Sequence, residues 1–134
     1  MTKIAHTAAQ MIGGMTPTLV EGDVAFYSVT TPTELPALLP HARAIFRETE
    51  GVSLVLPMEH HPAPDTAEPM RQITLNVYSS LTGVGLTAAV ATALADEGIA
   101  CNMIAATHHD HAFVPAGNAQ DAMAILSGLQ QKYR

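Results

Sequence analysis

Between Gln72 and Leu129 the apolar residues change period in a fixed order, and that order leaves few folds open. Gln72 to Tyr78 (QITLNVY) alternates, with Ile73, Leu75 and Val77 on one face, the period of a half-buried strand. Thr82 to Glu97 then places Leu86, Ala89, Val90, Ala93 and Leu94 at i, i+3, i+4, i+7 and i+8, the stripe of a packed helix, and Gly98 closes it. Ile99 to Ala106 and Asp110 to Val114 read as two strands joined by a turn near His108–His109. Asn118 caps a last helix that buries Ala122, Ile125, Leu126 and Leu129. A strand–helix–strand–strand run followed by a helix predicts an α+β fold with helices on one face of an antiparallel sheet.

The first half repeats this order of elements without repeating the letters. A helix over Thr2–Ile12 has Ile4, Ala8, Met11 and Ile12 on one face and is predicted to end at Gly13–Gly14. Val24 to Val29 reads as a strand. Thr31, Pro32 and Glu34 suit the N-cap, first and third positions of a helix with a capping box, kept short by Pro36 and Pro40. Ala44–Glu48 and Val52–Leu56 pair as a hairpin near Glu50–Gly51, with Gly51 taking a positive φ and Arg47 either facing Glu50 as an ion pair or anchoring a ligand carboxylate at the boundary between halves. Met58 to Met70, with three prolines and no period, connects the halves. The expected organisation is two ferredoxin-like βαββ units. The first spans residues 1–70 and includes the leading helix and the connector; the second spans 71–134.

Composition removes whole classes of function. One cysteine, Cys101, excludes a disulfide framework within the chain and a four-cysteine zinc site, and it reads as a buried small apolar residue. No apolar run is long enough to span a bilayer, and MTKIAHTAAQ lacks the apolar core of a secretory signal, so the expected location is the cytoplasm. Six Lys and Arg against twelve Asp and Glu give a formal charge of −6, which argues against nucleic acid as a partner; with no spanning run, no membrane partner is expected either. Charged residues make up only 13% of the chain, against a typical ~25%, which points to surface covered by further copies in a homo-oligomer. The helix at Thr82–Glu97 fits that idea. It carries no charge between Gly83 and Ala95, and its outer face is Ala88, Ala91, Thr92 and Ala95.

The stretch from ITLNVYSSLTGVGLTAAV through IACNMIAATHHDHAFVP to AILSGL, together with FRETEGVSLVLP, resembles the ACT-domain family. It is most similar to bacterial ACT proteins of unassigned function built from two ACT-like halves, over about Gly14–Leu129. The resemblance implies a ligand-sensing module for amino acids or other small metabolites. It also implies an effector site lined by the strand-to-helix loop, Ser79, Ser80, Leu81, Thr82, Gly83, Val84 and Gly85, and by Asn102 and Ile104 of the following strand.

The residues support such a site on physical grounds and leave a plainer reading open. First-turn N–H groups of a helix lack internal partners and carry the positive end of its dipole, so a glycine-bearing corner can hold a carboxylate. Equally, Thr82 can simply cap the helix while Gly83 and Gly85 permit tight packing. Asp110 can face the same corner and pair with a cationic group. His108–His111 is the most reactive-looking patch; two imidazoles on one strand face, helped by His60, His61 or Asp110, would make a metal site, or the histidines shape a hairpin. No Ser-His-Asp, Cys-His or HExxH pattern is present. The leading expectation is a regulatory protein that binds a small molecule, an amino acid, without catalysis or cofactor, and signals to a separate protein partner. The alternatives are an assembly module without ligand and a metal-dependent enzyme using His108–His111.

Overall fold

The computed structural model describes residues 4–134, and within it the chain forms two compact units. One comprises the chain up to Glu21 together with Arg71–Arg134; the other is Gly22–Met70. The mixed α+β class is as expected, and the leading segment, read with the N-terminal half, makes its contacts with the C-terminal one.

The reason lies in the sheet of the first unit. Its strands are β1 (Thr16–Leu19), β5 (Met70–Asn76), β6 (Asn102–Ala105) and β7 (Asp110–Pro115), in the order β1-β5-β7-β6. Helices α3 (Leu86–Asp96) and α4 (Ala119–Lys132) follow β5 and β7. That run leaves one edge of β5 bare, and β1 fills it antiparallel, with Thr16 opposite Asn76 and Leu19 opposite Ile73. Pro17 is tolerated because β1 is an edge strand. Every second residue of β5 and β7 (Ile73, Leu75, Ala112, Val114) meets Val90, Leu94 and Leu126 of the helices, so the helices lie on one sheet face.

Helix α1 (Ala8–Gly14) joins the same core through Met11, Ile12 and Met15. It starts later than the apolar pattern suggests, because Thr7 and Gln10 form a reciprocal capping box: Thr7 Oγ1 accepts from the Gln10 amide at 3.1 Å and Gln10 Oε1 from the Thr7 amide at 3.3 Å. Of the predicted start, Thr2 and Lys3 lie outside the described residues. Gly13 and Gly14 form the last turn rather than a stop signal. A side chain at Gly13 would collide with the Tyr133 carbonyl oxygen, so glycine there permits close approach to the end of α4. Gln130 Nε2 donates to the Gly13 carbonyl at 2.9 Å and ties the two helices.

The second unit contains β2 (Val24–Val29), α2 (Leu35–Leu38), β3 (Ala44–Glu48) and β4 (Gly51–Pro57), in the sheet order β3-β4-β2. Its core gathers Val29, Leu54 and Leu56 with Leu35 and Leu38. Helix α2 is one turn between two 3-10 turns, as Pro36 and Pro40 require. Thr31 makes no side-chain cap there. Glu34 is engaged elsewhere: its Oε1 accepts the Tyr27 phenol at 2.6 Å, which pushes the Tyr27 pKa up. Arg47 and Glu50 form no ion pair among the described residues; the neighbouring Glu48 carboxylate accepts the Ser53 hydroxyl instead. Gly51 has φ +152° and packs so closely on the Val29 carbonyl that a Cβ would lie 2.6 Å from its oxygen. The connector is pinned by buried His61, whose Nδ1 accepts from the Ala63 amide at 3.0 Å while Nε2 faces the Phe26 carbonyl at 3.3 Å. Among the described residues no helix is long and apolar enough to cross a membrane.

Candidate functional site

The loop between β5 and α3 folds differently from a simple helix cap. Ser80, not Thr82, organises it: Ser80 Oγ accepts from the Thr82 amide at 3.2 Å and lies 3.0 Å from the Thr82 hydroxyl, while the Ser80 carbonyl accepts from the Gly83 amide at 3.0 Å. This turn postpones the helix to Leu86. Gly85 is its N-cap, at φ +117°, a conformation open to glycine and strained for other residues.

The N-terminal segment sets the back wall of the loop. Ala5 forms a parallel bridge to Ser79, donating to the Tyr78 carbonyl at 2.7 Å and accepting from the Ser80 amide at 2.9 Å. A Cβ on Gly83 would lie 3.1 Å from the Met11 thioether and from the His6 carbonyl; one on Gly85 would lie 2.6 Å from the Ala8 Cβ. Gly85 is therefore required by the approach of α1, and a side chain at Gly83 would need its neighbours to give by a few tenths of an ångström.

What remains between these elements is a cavity of about 130 Å³. Of the residues singled out in the sequence, Ser79, Ser80, Leu81, Gly83, Gly85 and Asp110 line it; so do Met11, Leu86, Thr87 and Ala105, which sequence reasoning did not single out. Ala105 was within reach, because it pairs with Asp110 across β6 and β7 and shares its face. Met11 had no local signal. Thr82 is taken up by the turn, and Val84 points away at 82% exposure. Asn102 and Ile104 lie on the opposite sheet face from Ala105, since side chains alternate along a strand. Those four are not among the residues that line this cavity.

The cavity has two electrical poles. The first turn of α3 supplies the positive one: Leu86 and Thr87 line the cavity and Gly85 makes no side-chain cap there. Asp110 supplies the negative one; its Oδ2 lies 3.5 Å from the Ser79 hydroxyl. The histidine patch is drawn apart. His108 and His109 pack on the Tyr78 ring, at centroid distances of 5.4 and 5.0 Å. His111 turns its Nδ1 to the Thr74 hydroxyl at 3.0 Å, and burial pushes its pKa down. His60 stacks on His41 at 3.6 Å. Among the described residues no three His, Cys, Asp or Glu side chains converge on a metal position. Burial also pushes the Cys101 thiol up, away from nucleophilic character.

A second, larger concavity of about 650 Å³ runs between α3 and α4. Ala88, Thr92, Ala124 and Gly128 line it, all exposed within the chain, so the small outer face of α3 has no covering layer of its own.

Two ACT-domain family models match the chain, over residues 7–63 and 68–128. A solved Vibrio cholerae protein of unknown function, described as a possible transport protein, is 38% identical and aligns over 91% of this chain and 94% of its own, with a TM-score of 0.76. The chain belongs to the ACT-domain family. Two more distant ACT-like folds are regulatory parts of aspartate kinases. The regulatory subunit from Thermus thermophilus is 9% identical over 85% of this chain and 97% of its own, with a TM-score of 0.60. A putative C-terminal regulatory domain from Porphyromonas gingivalis is 15% identical over 87% and 96%, with a TM-score of 0.58. No curated protein matches. The family models follow chain order, one per half, whereas the contacts assign α1 and β1 to the unit of the second match.

Proposed function

We propose that the chain is a regulatory protein that binds a free amino acid in the Ser79–Asp110 cavity and carries out no chemistry of its own. The observation that carries this reading is the pairing of poles: helix N–H groups suited to a carboxylate and an Asp110 carboxylate suited to an ammonium line one small cavity. A zwitterion matches both. Membership of the ACT family supports a ligand-sensing role. Binding between α1, the loop and α3 would bias how those segments pack, and so signal to a separate protein.

Thermal unfolding against the common amino acids tests it. A ligand at ~100 times its Kd stabilises by about 2.7 kcal/mol, a shift on the order of 5–10 °C in a chain of this size. Asp110→Asn keeps the shape and removes the negative pole; it should abolish the shift. A shift that survives in Asp110→Asn, or none with any amino acid, defeats the proposal. The bare α3–α4 face favours one addition, that copies associate through it into a homodimer or larger oligomer. Sedimentation at micromolar concentration should then show more than a monomer.

A further inference from the structure

Three of the ten residues lining the cavity carry large apolar side chains: Met11, Leu81 and Leu86. They are not equivalent walls. Leu81 is 69% exposed at the mouth, and Leu86 belongs to the helix that supplies the positive pole. Met11 arrives from a separate segment, is 1% exposed, and lies with its thioether tip against Gly83. Methionine is a flexible side chain, but here its helix is fixed at both ends. The Thr7–Gln10 capping box and the Ala5–Ser79 bridge hold the start of α1, and the contact between Gly13 and Tyr133 holds its end. The neighbours of Met11 in the core, Ile12 and Met15, are also fully buried. The cavity that remains, about 130 Å³, is well under the ~300–1,000 Å³ of ordinary ligand pockets.

We infer that Met11 is the specificity-determining residue of this site: it limits the ligand to glycine, alanine or serine and turns away amino acids with longer side chains. The inference rests on the amino-acid reading above. A ligand that spans the two poles has its main chain committed to Asp110 and α3, so its side chain is what competes with the Met11 thioether for space.

The test is calorimetric titration of the full chain with glycine, alanine, serine, leucine and methionine, repeated on Met11→Ala and on the milder Met11→Val, with folding checked by circular dichroism. The unmodified chain should bind the three small amino acids and discriminate against leucine and methionine by at least ~10-fold for each unaccommodated methylene. Either folded variant should gain at least ~10-fold for leucine or methionine relative to alanine. If the unmodified chain binds leucine as tightly as alanine, the size limit is overturned whether or not a variant folds. If small amino acids bind and the variants keep the same ranking, Met11 is not the gate while the amino-acid reading stands. If no amino acid binds the unmodified chain, both fall together.

Discussion

Each unit has a corner where its first long strand turns into a helix, and the two corners have different means at their disposal. After β2 the chain passes through Thr31 and Pro32 into α2, four residues long with no side-chain cap. After β5 it passes through Gly83 and Gly85 into α3, eleven residues long, with Asp110 opposite. A single helical turn has almost no aligned dipole to offer, whereas three turns do. Glycine matters as much as length. In the β5 corner it lets α1 come within contact distance and wall off a cavity; in the β2 corner proline fixes the path and the Glu34 carboxylate is already bonded to Tyr27. The same element order yields one corner fitted for a ligand and one fitted for structure.

Breaking the β5 corner should be the most damaging change. Gly85→Ala combines a strained φ with a side chain 2.6 Å from the Ala8 Cβ, and should cost on the order of 2–5 kcal/mol of unfolding free energy in a urea titration. The next contrast is between caps. Thr7→Ala removes half of a formed capping box and should cost about 1 kcal/mol, while Thr31→Ala removes a hydroxyl that caps nothing and should stay within about 0.5 kcal/mol. Equal losses would mean that the two corners are held alike. In the second unit, Tyr27→Phe should cost about 1 kcal/mol through the lost Glu34 hydrogen bond. Glu34→Gln should bring the Tyr27 phenol pKa back down toward its ordinary value near 10 in a spectrophotometric titration.

The subtlest effect is in pH. Burial, reinforced by His109, lowers the His111 pKa in the folded chain. The unfolded chain therefore takes up the proton first as pH falls. The stability owed to neutral His111 is complete above the unfolded value of about 6.5 and is lost as pH drops through the folded pKa. His111→Gln should flatten unfolding free energy against pH in that window; an unchanged slope would show that His111 is not its source.

Most strands were legible because their partners are near or their faces alternate cleanly. Val24–Val29 and Ala44–Glu48 fall where the pattern puts them. β1 was not legible: TPTL is four residues with a proline, and its partner at Asn76 lies sixty residues on, so nothing local announces it. The helix pattern at Ile4–Ile12 reported which face is buried but not against what, and its core neighbours turn out to lie in the later half of the chain. The start of α3 was misplaced because Thr82 has the right chemistry for a cap, and only the Ser80 turn shows that the role is taken. Six of the ten expected site residues line the cavity, since a loop and its cross-strand neighbour are local features. Met11 depends on the same long-range return that hid β1.

That return has a consequence for how the chain is made. On the ribosome, β5, which gives Met11, Ile12 and Met15 a surface to bury against, emerges some sixty residues after them. At ~5–20 residues per second the wait is roughly 3–12 s. The Gly22–Met70 unit is synthesised entirely within that interval and can close first. The segment around α1 thus waits for its partner, and for those seconds its methionines are open to a chaperone or to a neighbour on the same message.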